Sequence, residues 1–168
     1  MLLYHYTAGE NLRGIAKEGL TVGDVPTDLI KSKGRIGVWF TTSKNADGHG
    51  LDGSKVDKTR FRLAVEIPET PLLVRWSEWA KTNVTAFTRK RLDDAIDGHS
   101  GSADWWVCFG WVRPDQIDNV FDMATGEELP DWHLAWPEIN SRPGIPFRQR
   151  DAWQRRMLKE IKRAAGRA

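Results

Sequence analysis

Residues Leu2–Leu20 read LLYHYTAGENLRGIAKEGL, a short apolar strand with a histidine in its middle that runs directly into a helix. A strand that buries at least one face leaves the nitrogens of His5 in need of partners, so the ring is either a satisfied structural group or part of a site. Both readings stand at this point. Thr7-Ala8-Gly9-Glu10 has the spacing of a capping box, with Thr7 as the cap and Glu10 returning the bond. Leu12, Ile15 and Ala16 give the helix an apolar face, and Gly19-Leu20 supplies the stop.

Outward from this unit, a polar stretch with Pro26 and Gly34 carries Lys31, Lys33 and Arg35 and is long enough to form a mobile flap over a site. Gly37–Thr42, GVWFTT, is a second short strand of buried type, and it empties into the loop SKNADGHGLDGSKVD. Asn45, Asp47 and His49 lack calcium-loop spacing. His49, His99, His133 and Cys108 have no zinc-like pairing, so no metal is expected. Thr59–Ile67 alternates Phe61, Leu63, Val65 and Ile67 against Arg60, Arg62, Ala64 and Glu66, the pattern of a half-buried strand. Glu66 is expected to face solvent.

Leu72–Trp76 continues extended, Ser77–Ala80 reads as a helical turn, and Val84–Ile96 places Phe87, Leu92, Ala95 and Ile96 at helical spacing before Gly98. Trp105–Trp111, WWVCFGW, is apolar on both faces and is expected at the centre of a sheet. Asn119–Met123 and Glu127–Leu129 form a hairpin around Thr125-Gly126. Trp132–Pro146 is an irregular wrap, and Phe147–Ala165 is a basic amphipathic helix with Trp153, Met157 and Ile161 at four-residue steps. This order of strands and helices gives an α+β domain.

At 168 residues the chain fits one domain with one core. The single cysteine, Cys108, cannot form an internal disulfide, and no apolar run has the length of a membrane span or the pattern of a signal peptide. The expectation is a cytoplasmic protein with no membrane partner. Charge is uneven: nine Arg and Lys, among them Arg148, Arg155, Arg156, Lys159 and Arg163, face only Asp151 and Glu160 between Ser141 and Ala168. Such a tail fits the phosphates of DNA or RNA, and equally a solvated helix face whose apolar side docks on the body. The nine tryptophans suit core filling, with rings to spare for stacking on a base or nicotinamide.

Three segments in order, YHYT with its helix ending KEGL, then GVWFTTS, then ADWWVCFGWVRPDQIDNV, resemble the ADP-ribosyltransferase-like fold. The opening is similar to that of the DarT-like DNA ADP-ribosyltransferases and the RNA 2′-phosphotransferases. The resemblance implies a split β-sheet core over residues 1–122, with the hairpin, wrap and basic helix of 123–168 either part of it or appended. It implies NAD as substrate, with no metal. His5 would meet the adenosine ribose, with Tyr6 and Thr7 continuing that wall. Trp39, Thr41 and Thr42 would line the nicotinamide side, with Phe40 beside them, and Arg35 would clamp the pyrophosphate. Asp104 stands where such transferases carry a glutamate that stabilises the cationic sugar. The acceptor would be nucleic acid or a protein target. A degenerate module that binds NAD, an ADP-ribose derivative or an antitoxin-like partner is the alternative, and a plain basic nucleic-acid-binding domain is the third reading.

Overall fold

The computed structural model describes residues 1–20, 23–31, 33–49, 51, 56–96 and 100–134. It is an α+β arrangement of β1 (Leu2–Thr7), α1 (Gly9–Glu18), β2 (Asp24–Asp28), β3 (Lys33–Ile36), β4 (Val38–Thr41), β5 (Phe61–Glu66), β6 (Leu73–Arg75), α2 (Trp76–Asn83), α3 (Ala86–Asp94), β7 (Trp105–Cys108), β8 (Ile117–Asp122) and β9 (Glu127–Glu128). Seven strands form one sheet in the order β6-β7-β4-β1-β5-β8-β9, and β2 and β3 form a separate ribbon. Each described strand pair is antiparallel.

The N-terminal strand lies at the middle of this sheet because its side chains are apolar on both faces. Leu3 is fully buried on one side, and Tyr4 and Tyr6 are buried on the other. On the first face, Leu12 and Ile15 of α1 pack with Leu3, Val38, Phe40, Leu63, Val65, Cys108 and Val120, and Leu20, Val112 and Trp132 complete the layer. The second face has two patches. Trp105 and Val107 pack there with Trp76 and Ala80 of α2, Val25 of the ribbon, Val84 and Ile96, and Trp39 joins them. Beside them Tyr4, Tyr6 and Ala64 meet Ala46 of the loop that follows β4. β7 has neighbours on both edges, but the centre belongs to β1.

Several expectations need correction. Thr7 does not cap α1: the cap position is Ala8 and carries no side-chain bond. Thr7 Oγ1 instead accepts from Asn11 Nδ2 at 3.0 Å, tying the strand to the helix behind it. The stretch expected as a flap contains the β2–β3 ribbon, docked on α3 by the Thr85 amide bonding the Thr27 carbonyl and the Leu29 amide bonding Thr88 Oγ1. The turn at Ser77–Ala80 extends into α2, because Trp76 and Ala80 share a buried stripe. Phe87 lies on the exposed side of α3, whose buried contact is made by Thr88. Glu66 is exposed, and the 117–128 hairpin forms with Gly126 at φ 74°. Since β9 pairs with β8 and Trp132 enters the core, residues 123–134 are continuous with the body. Gly98 and the expected basic helix at 147–165 fall outside the described residues.

Two contacts lock the periphery. Arg60 binds Asp122 through two parallel bonds of 2.8 and 2.7 Å, joining the start of β5 to the end of β8. With the Ala124 and Thr125 amides, they hold the Asp122 carboxyl below its ordinary range. Gly19 ends α1 at φ 76°, where Leu20 and Val112 exchange backbone bonds, and a Cβ there would lie 2.1 Å from the Val112 carbonyl oxygen. Gly19→Ala is therefore expected to cost at least ~1 kcal/mol, through both the positive φ and the clash. Urea unfolding followed by far-UV circular dichroism measures it.

Candidate functional site

His5 stands at the middle of β1, with its ring against Phe40 at 5.7 Å. Its Nδ1 lies 2.9 Å from the Trp39 carbonyl oxygen. A carbonyl only accepts, so Nδ1 carries the proton, and Nε2 is left as an acceptor with no partner among the described residues. Burial pushes the imidazole below its ordinary pKa, the Trp39 carbonyl pulls it back in part, and Lys58 adds to the lowering. The ring is a neutral acceptor held at a fixed angle.

Asp104 ends a single 3₁₀ turn, Ser100–Asp104, immediately before β7. Opposite it, Thr42 continues β4: its amide bonds the Asp104 carbonyl at 3.2 Å, and its Oγ1 donates to Asp104 Oδ1 at 3.0 Å. Asp104, at the head of β7, and His5, in β1, are separated by β4 alone. From strand spacing and rise, their Cα atoms are about 12 Å apart.

Alternation along the strands divides the other candidates. Tyr6, Trp39 and Thr41 face away from His5, on the second face of the sheet. Tyr6 donates its hydroxyl to the Ser43 carbonyl at 3.2 Å, and burial pushes its phenol up to about 12. Trp39 donates Nε1 to the Asp24 carbonyl at 2.9 Å, with its ring 4.7 Å from Trp76 and 5.3 Å from Trp105. Thr41 is buried and accepts from the Ser43 amide at 3.0 Å. One small ligand does not reach side chains on both faces of a pleated sheet, so these residues are not gathered with His5. Arg35 is elsewhere again. Its guanidinium lies 4.0 Å over Phe109 and 5.7 Å over Trp79. Phe109 follows β7 and Asp104 precedes it, so the two ends are about 17 Å apart at the rise of an extended strand.

No protein-family model, curated protein or solved structure matches this chain. The local chemistry therefore carries what can be said of the site.

His49 is the residue that sequence reading missed. Its Nε2 donates to the Asn45 carbonyl at 2.9 Å, its Nδ1 accepts from Trp105 Nε1 at 2.9 Å, and its ring stacks on Tyr6 at 6.0 Å. Both nitrogens are committed, which fixes one neutral tautomer. Burial depresses its pKa, against the pull of the Asn45 carbonyl, Asp104 and Asp47. In the sequence it is a histidine among glycines and aspartates, tested only for metal spacing, and nothing there connects it with Trp105.

An open groove of about 600 Å³ runs along β6 and α2, lined by Leu73, Arg75, Glu78, Trp79, Asn83 and Trp106 among others. It contains none of the expected site residues, but Trp106 is two positions along β7 from Asp104. No cluster of three His, Cys, Asp or Glu groups suited to a metal occurs among the described residues, nor does a helix long and apolar enough to cross a membrane. Arg148, Arg155, Arg156, Lys159 and Arg163 lie outside the described residues.

Both His5 and His49 resist protonation in the fold, whereas in the unfolded chain they take up protons near pH 6.5. Their contribution to stability is complete above that pH and is lost as pH falls below it. Thermal unfolding between pH 8 and pH 5 is expected to give a falling Tm, and His5→Gln and His49→Gln should each flatten the slope.

Proposed function

We propose that this chain transfers ADP-ribose from NAD to a macromolecular acceptor. The observation that carries this reading is the side-by-side packing of the three motif strands as β7-β4-β1, with the Asp104 carboxylate bonded to Thr42. Residues far apart in sequence thereby present a carboxylate, a hydroxyl and an imidazole acceptor along one part of the sheet.

In this reading His5 Nε2 accepts a hydrogen bond from a ribose hydroxyl of NAD. Trp39 serves through its backbone, holding the proton on Nδ1 so that Nε2 keeps its lone pair as an acceptor. Thr42 fixes one oxygen of Asp104 and leaves the other beside the nicotinamide ribose. As the bond between nicotinamide and the sugar breaks, nicotinamide leaves with the electron pair, and the carboxylate stabilises the cationic sugar. A nucleophile of the acceptor then forms the new bond to that carbon and gives up its proton to water. Groups fixed beforehand stabilise such charge without reorganising. Tyr6, Trp39 and Thr41 brace these strands from the second face. The basic tail inclines the acceptor towards nucleic acid.

A second reading rests on Asp104 itself. It is one methylene shorter than glutamate, and displacement by about 1 Å costs on the order of 100-fold in rate. A module that binds NAD or ADP-ribose without turning it over satisfies the same geometry.

Calorimetric titration with NAD, followed by nicotinamide release in the presence of single-stranded DNA, RNA or protein, separates these readings. Transfer predicts binding and release. Asp104→Asn should lower kcat about 100-fold with little change in NAD affinity, and His5→Ala should weaken NAD binding about tenfold, the loss of one well-placed hydrogen bond in a buried site. Binding without release selects the module, and absence of binding removes both.

A further inference from the structure

The loop between β4 and β5 closes a circuit of contacts around Asp104 at the head of β7. It leaves β4 at Thr42, whose amide and hydroxyl both bond Asp104. It then turns at Ser43 and Asn45, where the Ser43 hydroxyl donates to the Asn45 carbonyl at 3.1 Å. The Asn45 carbonyl also receives Nε2 of His49, and Nδ1 of His49 receives the indole N–H of Trp105, the residue next to Asp104. The head of β7 is thus clamped twice by one loop, through Thr42 on Asp104 and through His49 on Trp105. The tie is directional: a neutral imidazole has one donor and one acceptor nitrogen, and the loop uses each once.

We propose that His49 is a positioning residue that fixes Asp104 through Trp105, and that protonating His49 releases the clamp. A proton on Nδ1 would point at the indole N–H, setting donor against donor, so the bond to Trp105 cannot survive in the charged form. Among the described residues the groups facing His49 are Asp47 of its own loop, Asp104 of the turn before β7, and Tyr6 of β1. The two carboxylates favour the imidazolium, and Arg62 of β5 bears on Tyr6. Burial of the ring opposes the charge. The clamp is therefore closed at neutrality, and the charged form that opens it is reached only below the ordinary imidazole range. The role of Asp104 in turnover rests on the transferase reading; the clamp does not.

Two readouts in the full chain test the clamp without activity: the Trp105 indole resonance, assigned with Trp105→Phe, and hydrogen exchange at the Thr42 amide that bonds the Asp104 carbonyl. Lowering the pH from 7.5 through the protonation of His49, followed on its own ring resonances, should move the indole resonance and speed Thr42 exchange about fivefold once the intrinsic pH effect is removed, the equivalent of about one hydrogen bond. His49→Phe, which keeps a ring to stack on Tyr6, should show both changes at every pH. His49→Gln, with one acceptor and one donor that do not titrate, should restore the closed state and abolish the pH response. An indole resonance unmoved by pH and by His49→Phe overturns the proposal. So does a moving indole with unchanged Thr42 exchange, because His49 would then hold Trp105 without fixing Asp104. If the wild type binds and turns over NAD, His49→Phe should lower kcat and leave KM within about twofold. If it does not, the transferase reading fails while the two resonance experiments still decide the clamp.

Discussion

The structure depends on the requirement that β1 be satisfied on all four sides at once. Its two edges are taken by β4 and β5, and its two faces are buried, by α1 on the Leu3 side and by Ala46, Leu51 and Met123 around Tyr4 and Tyr6 on the other. A buried backbone amide without a partner costs about as much as a lost hydrogen bond, so the strand admits little slippage. A shift of one residue would also exchange Leu3 and His5 with Tyr4 and Tyr6. The orientation of His5 follows from the pairing of the whole sheet.

That constraint explains why the site is assembled from backbone as much as from side chains. Trp39 was expected as a ring beside a ligand, yet its ring fills the second core layer and its carbonyl orients His5. Thr41 and Thr42 differ in the same way. Alternation sends Thr41 into the packed face, where it supports the Ser43 amide, while Thr42 meets Asp104 at the end of the strand. A motif that reads continuously in one dimension is split by a pleat in three.

Much of the architecture was legible in the sequence because its signals were local. The alternation of Phe61, Leu63 and Val65, the start of the two-faced apolar run Trp105–Trp111, whose strand ends at Cys108, the Gly19 stop and the Gly126 hairpin each follow from a few adjacent residues. The Thr7 capping box failed because Thr7 is the last residue of a strand whose pairing holds it one position before the cap, leaving Ala8 there. The ribbon at Asp24–Ile36 was hidden by its polar composition, since it is held by α3 and by the buried side chain of Val25. Of the candidate site, the pairing of Thr42 with Asp104 depends on a strand register that no short motif encodes. His49 could not be found at all, because its partner Trp105 is fixed only by the fold.

The strand order has a kinetic consequence. Leu3 pairs with Val65, Val38 with Cys108, and Leu63 with Val120, so the central ladders join distant parts of the chain. Among the described pairs, β8 with β9 and β2 with β3 are linked through short turns, and both lie away from the centre of the sheet. Each central ladder requires a long loop to close before its contacts repay the entropy. Such a domain belongs among the slow folders, and until β1 finds its place between β4 and β5, the edges of both strands remain open to pairing with other chains.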